Sequence, residues 1–386
     1  MLSRLINPSQ LHSFFLFGAR GTGKTSLVRE RFLNPSTLYI DLLLDSEFES
    51  LNLKPDSLLE RLAGLPSIDR VVIDEVQKIP AILDLVHRIL EQDRKHQFIL
   101  TGSSARKLKR GGGNLLAGRA WVYHLFPMTS TELGDLFNLH QTLAWGSLPR
   151  LLELSDDGDK LEFFRAYTST YLKEEILQEQ LIRELRPFQR FLPIAAQTSG
   201  EIVNYSKIAR DIGVAPPTVE SYFQILEDTM LGFRLPSYHP LLRKQERLSP
   251  KFYLFDIGVT RSLMRQLQAP PQQGTYAFGK LFEQFIILEI IRLSSYQRRD
   301  DAFFYYQTYG DLEVDLVIDR PGEQPIFIEI KSAEQVQDSH VAHLAAIAAD
   351  LPAASYYCFS LDKHPARKGA IYCLHWTDGL RELGLV

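Results

Sequence analysis

Short apolar runs alternate with stretches whose apolar positions recur every three to four residues along the first third of the chain. Phe14–Phe17, Thr37–Asp41, Arg70–Asp74 and Gln97–Thr101 have strand length, whereas Lys24–Phe32, Pro55–Leu62 and Ala81–Gln92 carry the helical period. Strands separated by helical crossovers predict a parallel, doubly wound sheet over residues 1–135. Residues 136–190 look helical throughout, with a charged stretch at Tyr171–Arg186, and Pro187 and Pro193 then punctuate the chain. The pattern changes over 191–258. Three short helices (Ile194–Ser199, Tyr205–Ile212, Pro217–Thr229) precede two strands, Gly232–Tyr238 and Lys251–Phe255. Over 259–386 a helix at Gly279–Ile291 leads into strands Ala302–Thr308, Glu313–Asp319 and Gln324–Lys331. An Ala-rich helix at Val341–Asp350 and a strand at Ser355–Ser360 complete a second α/β unit. The expected division is a sheet domain (1–135), a helical linker or lid (136–190), a helix-rich domain (191–258) and a second α/β domain (259–386).

Composition narrows the class. At 386 residues the chain exceeds one ordinary core, and 45% hydrophobic with 23% charged residues is the balance of a soluble globular protein. No apolar run approaches the length of a membrane span, and the first residues lack a signal-peptide pattern. Cys358 and Cys373 are too few for a disulfide framework or a cysteine-rich metal site and are expected as buried thiols. A cytoplasmic protein with no membrane partner is the expectation. A net charge of −4 argues against a surface that coats nucleic acid, yet seven Lys or Arg and no acid fall between Arg94 and His124. They are Arg94, Lys95, Arg106, Lys107, Lys109, Arg110 and Arg119.

The first candidate chemistry is Gly18-Ala19-Arg20-Gly21-Thr22-Gly23-Lys24-Thr25, followed by Ser26. Glycines at this spacing turn successive backbone N–H groups onto phosphate oxygens, Lys24 places its charge by the β- and γ-phosphates, and the Thr25 hydroxyl is a ligand for Mg²⁺. The loop follows an apolar strand and opens a helix, whose dipole favours the same anion. Arg70–Asp74 then delivers Asp74 and Glu75 at a strand's carboxyl end, where such sheets bind ligands. Asp74 is expected in the Mg²⁺ shell and Glu75 on the attacking water. Thr101 and Ser103, ending the next strand, are candidates for sensing the γ-phosphate. Arg106 or Arg119 is a candidate finger reaching a neighbouring copy's γ-phosphate.

In order, FLFGARGTGKT, RVVIDEVQKIP, FILTGSSARKL, LLAGRA and HLFPMT over residues 14–129 resemble the AAA+-type ATPases of prokaryotes. The closer resemblance is to the group whose C-terminal half is the domain of unknown function numbered 4143. GSLPRLLE (146–153), YLKEEILQE (171–179), KFYLFDIGV (251–259), GKLFEQFI (279–286) and IEIKSA (328–333) look like that half. The resemblance implies ATP as the nucleotide and a homo-oligomer.

Two later segments bear on what hydrolysis drives. Tyr205–Val214 has the cadence of a helix-turn-helix, with Ala209 allowing close approach and Gly213 turning the chain; Arg243, Lys244 and Arg247 between the two strands suit a winged helix that grips phosphates. The would-be recognition helix offers Thr218, Glu220, Ser221 and Gln224, few of them base-reading groups, and winged helices also serve as protein-binding modules. Further on, Asp315 on one strand and Glu329 and Lys331 on the next, with Glu283 on the preceding helix, resemble the PD-(D/E)XK nucleases. Residues 329 and 331 share a strand face, and the carboxylates of Glu283, Asp315 and Glu329 would hold a second Mg²⁺ or Mn²⁺. The fold expected is a P-loop NTPase domain, a winged helix and a restriction-endonuclease-like α/β domain. The leading expectation is an ATPase coupled to a DNA-binding, nuclease-like half. The alternatives are an ATP-driven switch whose C-terminal half binds a protein and cuts nothing, and a nuclease whose loop binds nucleotide without turnover.

Overall fold

In the computed structural model, residues 3–92, 95–104, 116, 118–171, 185–239, 248–308 and 312–386 are described. Five strands form the first sheet: β1 (Phe14–Phe17), β2 (Thr37–Asp41), β3 (Arg70–Asp74), β4 (Gln97–Gly102) and β5 (Trp121–His124). Their order is β2-β3-β4-β1-β5, and every pairing is parallel. Helices α1 (Lys24–Phe32), α2 (Asp45–Leu53), α3 (Ser57–Gly64) and α4 (Ile82–Gln92) fall in the crossovers. All four residues of β1 are fully buried, as a central parallel strand covered on both faces requires. The four expected strands form. The fifth, β5, was not expected from the sequence, although Trp121-Val122-Tyr123 favours a strand. Parallel pairing to β1 gives it a place that the local pattern does not show.

The middle of the chain is helical but broken. Helices α5 (Ser130–Leu133), α6 (Leu139–Trp145), α7 (Asp157–Ala166) and α8 (Leu185–Gln197) alternate with tight turns. Pro193, expected to interrupt, lies inside α8. It removes one ladder hydrogen bond, yet Phe188, Phe191, Leu192, Ala195 and Ala196 on that helix are buried, and packing outweighs propensity. Helices α9 (Tyr205–Ile212) and α10 (Pro216–Asp228) are joined through Gly213, whose φ of 76° needs a residue free of Cβ. Strands β6 (Gly232–Leu235) and β7 (Lys251–Leu254) then pair antiparallel. Residues 240–247, with Arg243, Lys244 and Arg247, lie outside the described residues, as does most of 171–186.

These segments share one core. Trp145, Leu148, Phe164 and Tyr167 pack with Phe188, Phe191, Ile208 and Phe223, and Val259, Leu263 and Leu267 join from beyond β7. Helix α11 (Ile257–Leu263), not expected from the sequence, presses Gly258 against Trp145 so closely that a Cβ would lie 2.1 Å from the Trp145 carbonyl oxygen.

The last unit opens with α12 (Tyr276–Tyr296), whose 21 residues extend about 31 Å. Six strands follow: β8 (Ala302–Gln307), β9 (Glu313–Asp319), β10 (Ile326–Lys331), β11 (Ser355–Ser360), β12 (Ala366–Lys368) and β13 (Ile371–His375). Helix α13 (Asp338–Asp350) lies between β10 and β11, and α14 (Trp376–Glu382) follows β13. The sheet order is β12-β13-β11-β10-β9-β8, parallel only at β10–β11 and β11–β13. Cys358 and Cys373 are buried free thiols on paired positions of β11 and β13. No described helix is long and apolar enough to cross a membrane.

The close approach at Gly258 generates a stability test. Gly258→Ala is expected to destabilise the protein by about 2 kcal/mol through overpacking against Trp145 and Phe164. Urea denaturation followed by tryptophan fluorescence measures it, and an unchanged midpoint refutes the packing account.

Candidate functional site

The loop 18–25 leaves the carboxyl end of β1, the central strand but one, and α1 begins at Lys24. Gly21 and Gly23 have φ of 85° and 93°, values that side chains with a Cβ rarely adopt. Gly18 is required for a different reason: a Cβ there would lie 2.3 Å from the Leu125 carbonyl oxygen at the end of β5. Lys24 is buried and donates from Nζ to the Gly18 carbonyl at 2.8 Å and the Ala19 carbonyl at 3.4 Å. The ammonium is thus held inside the curve of the loop. Thr22 Oγ1 donates to the Ala19 carbonyl at 2.9 Å, and the Tyr167 hydroxyl donates to the Arg20 carbonyl at 2.8 Å. Ser26 is exposed on the first turn of α1.

The two carboxylates after β3 stand beside this loop. Thr25 Oγ1 donates to Asp74 Oδ2 at 2.8 Å, the Tyr39 hydroxyl donates to the same oxygen at 2.7 Å, and Thr101 Oγ1 donates to Asp74 Oδ1. Burial and the Asp74 partner push the Tyr39 phenol well above its ordinary value, so it remains a donor. Thr101 in turn accepts from the Glu75 amide at 3.2 Å. Glu75 is a non-glycine residue at φ 62°, a conformation that costs roughly 1 kcal/mol and turns its side chain off the strand. Gln77 Nε2 donates to Glu75 Oε2 and, at 3.0 Å, to Ser103 Oγ. Thr25, Asp74, Glu75, Thr101 and Ser103 therefore form one connected cluster across β3, β4 and α1. The donor set at Thr25 and Asp74, a hydroxyl and a buried carboxylate, fits Mg²⁺, whose role would be to neutralise charge on the β- and γ-phosphates.

Tyr39 and Gln77 were not expected from the sequence. Gln77 had a signal, two positions after Glu75. Tyr39 had none. Arg119 precedes β5 and so lies at the end of the sheet opposite the loop, where it pairs with Glu91 at 2.7 Å. Within one chain it does not join the cluster. Arg106, with Arg94, Lys107, Lys109 and Arg110 of the basic strip, lies outside the described residues.

The second expected constellation is brought to one cavity of about 610 Å³, lined by Lys280 and Glu283 on α12, Glu313 and Asp315 on β9, Glu329 and Lys331 on β10, and His340 and His343 on α13. Glu329 and Lys331 do share a strand face and pair at 2.5 Å. Among the described residues no three His, Cys, Asp or Glu side chains are placed to hold a metal ion. An unexpected lysine stands beside two of the acids. Lys251, 1% exposed at the head of β7, lies 2.6 Å from Glu313 and 3.6 Å from Glu283. Glu283 also accepts from the Tyr253 hydroxyl at 2.7 Å and from Lys280 at 3.2 Å. Asp315 Oδ2 accepts from the Ile330 amide at 2.8 Å. Burial works against charge on Lys251, but Glu283, Asp315 and Glu313 overcome it and hold its pKa above the usual lysine range. Burial likewise opposes ionisation of Glu283, and Lys251 and Lys280 reverse that and lower its pKa. Burial and the charge of Asp315 push Glu329 up to about 8, and its Oε2 is buried without a hydrogen-bond partner.

A glycine-rich loop beside a carboxylate–hydroxyl cluster, on a five-stranded parallel sheet, has the arrangement of a P-loop domain. Residues 11–134 match the family model described as an AAA domain. Residues 136–270 match a domain of unknown function numbered 8612, and residues 278–377 the one numbered 4143. An uncharacterized protein of Mycobacterium tuberculosis is 24% identical over 317 residues, covering 82% of this chain and 69% of that protein. An uncharacterized protein of Methanocaldococcus jannaschii is 24% identical over 396 aligned positions, covering 88% and 80% respectively. Among solved structures, a replication initiator, DnaA, bound to AMPPCP and single-stranded DNA, aligns with 57% of this chain and 83% of its own. Its identity is 16% and the TM-score 0.27. Domain III of the Thermotoga maritima DnaA aligns with 58% and 86%, at 14% identity and a TM-score of 0.25. Superpositions this loose do not define a shared arrangement.

The Glu329 environment sets a pH dependence. Its proton is held in the folded protein to about pH 8 but released near pH 4.5 in the unfolded chain. Its contribution to stability is therefore complete at low pH and is lost as pH rises through 8. Between pH 5 and 8 the unfolding temperature is expected to fall more steeply in the parent than in Glu329→Gln; parallel profiles refute the assignment.

Proposed function

We propose that this protein binds and hydrolyses ATP, and that the chemical state of the nucleotide is transmitted to a C-terminal half that acts by binding. The observation carrying the first part is the Thr25–Asp74–Thr101–Glu75 cluster beside the loop. Sheet order gives the nucleotide a direction. Asp74 and Thr101 lie on β3 and β4, to one side of β1, so the γ-phosphate points there. A slot of about 410 Å³ runs from Gly23 and Ser26 to Leu27, Met128, Leu136, Pro149 and Leu152, with Arg4, Glu30 and Glu153 also lining it, a largely apolar space suited to the base. Lys24 exchanges its carbonyl partners for phosphate oxygens. Thr25 and Asp74 are the residues that would hold Mg²⁺. Glu75, oriented by Gln77, accepts the proton of the attacking water, and Thr101 ties its amide to the Asp74 carboxylate. Arg119 is the proposed finger of a second copy, since within one chain it lies away from the loop.

What supports transmission is contact. Tyr167 bonds the Arg20 carbonyl, and Leu148 and Tyr167 are the nearest groups to Gly21, so the middle segment rests on the loop itself. DNA as the partner draws on the helix pair α9–α10, in which the would-be recognition helix exposes Pro217, Glu220 and Ser221 and the exposed cations Lys207 and Arg210 lie on α9. A binding role for this half therefore accords better than base reading with a recognition helix that carries no Lys or Arg.

Lys24→Ala is expected to abolish nucleotide binding. Glu75→Gln is expected to keep ATP affinity within about threefold while lowering kcat by about 10² or more, the scale of a lost general base. Phosphate release with equilibrium ATP binding on both variants decides it, and unaltered turnover in both sinks the proposal. Filter binding of duplex, branched and single-stranded DNA across a salt series tests the partner. Salt-sensitive binding by the intact chain would restore DNA.

A further inference from the structure

The nuclease-like arrangement implies a divalent metal held by Glu283, Asp315 and Glu329, and the residues of this chain do not fit one. Each carboxylate that would serve has a partner on one oxygen at least, and Glu329 alone keeps a buried oxygen, Oε2, without one among the described residues. Glu283 is held by Tyr253, Lys251 and Lys280. Glu313 pairs with Lys251 at 2.6 Å, Asp315 with the Ile330 amide, and Glu329 with Lys331 at 2.5 Å. Lys251 is the centre of this set. It comes from β7, outside the α12–β9–β10 frame, and enters so fully that 1% of its side chain is exposed. A lone buried ammonium would be prohibitive, and this one persists because acids of two elements converge on it.

We propose that Lys251, buried beside the C-terminal cavity, is the cation that Glu283 and Glu313 hold in place of a divalent metal, so that the cavity works without metal. The three lysines Lys251, Lys280 and Lys331 stand against four acids, Glu283, Glu313, Asp315 and Glu329. The acids are thereby held together by fixed protein charge rather than by a divalent cation. The same lysine explains why β7 and α12 are locked together: β7 supplies both Lys251 and Tyr253 to Glu283. The opening of the cavity, carrying Lys280, Lys331, His340 and His343, is left as a recognition surface rather than a catalytic one. The inference is independent of ATP hydrolysis, which takes place on another sheet.

The test uses the full chain with Asp74→Asn, which silences the nucleotide-site cation position, and titrates Mn²⁺ alone by electron paramagnetic resonance. No Mn²⁺ is expected to bind at this cavity at concentrations up to about 1 mM, above the range of typical protein-held sites. Lys251→Met, which frees Glu283, Glu313 and Asp315, is expected to tighten Mn²⁺ binding at least tenfold. About one equivalent of Mn²⁺ bound without that change, and lost in Asp315→Asn, overturns the proposal. Should Lys251→Met not fold, the titration of the chain retaining Lys251 still decides it. Incubation of the unaltered protein with branched and single-stranded DNA and Mn²⁺ gives a second reading. Cleavage abolished by Asp315→Ala overturns the proposal, and intact DNA supports it.

Discussion

A single buried guanidinium joins the parts of this molecule. Arg4 donates to the Thr22 carbonyl in the phosphate loop at 2.8 Å, to the Phe126 carbonyl after β5 at 2.6 Å, to Glu132 at 2.9 Å and to the Tyr296 hydroxyl at the end of α12 at 3.0 Å. Its planar fork satisfies four directions at once, as no lysine could. Glu132 completes the balance by accepting from the Leu5 and Thr129 amides. Breaking such a buried pair from one side typically costs 3–5 kcal/mol, because the remaining charge stays buried. Around this point the sheet domain, the linker and the last unit are fixed to one another. Arg292, bonded to the Ser147 hydroxyl and the Phe255 carbonyl, and Glu289, accepting from Ser130, repeat the bolt further along the same helix.

How much of this could be read from the sequence depends on how far apart the partners lie. The phosphate loop was legible because its chemistry sits in eight consecutive residues whose spacing is set by a single ligand. Asp74 and Glu75 were legible from their place after an apolar strand. The role of Gly18 was legible only in part: the sequence suggests a special backbone conformation, whereas the actual demand is clearance from Leu125, over a hundred residues away. The place of strand β5 was hidden because its partner β1 lies over a hundred residues earlier in the chain. Arg4 was invisible for the same reason, with partners 18, 122, 128 and 292 positions distant.

The C-terminal site shows the converse case. Its carboxylates and Lys331 were found from strand periodicity, and the structure does gather them. What periodicity could not deliver was the group that sits among them. A charged residue heading the apolar strand Lys251–Leu254 was the one available sign. A motif thus specifies which side chains share a face, while the occupant of the space between them is chosen by another element.

Helix α12 acts as a fixed-length ruler. Lys280 and Glu283 in its first turns belong to the C-terminal cavity, and Glu289, Arg292 and Tyr296 in its last turns belong to the junction with the sheet domain. A single inserted residue would rotate one end against the other by about 100° and shift it by about 1.5 Å. A related chain that keeps the contacts at both ends therefore keeps the number of residues between them. The two chemistries it links must be inherited as a unit.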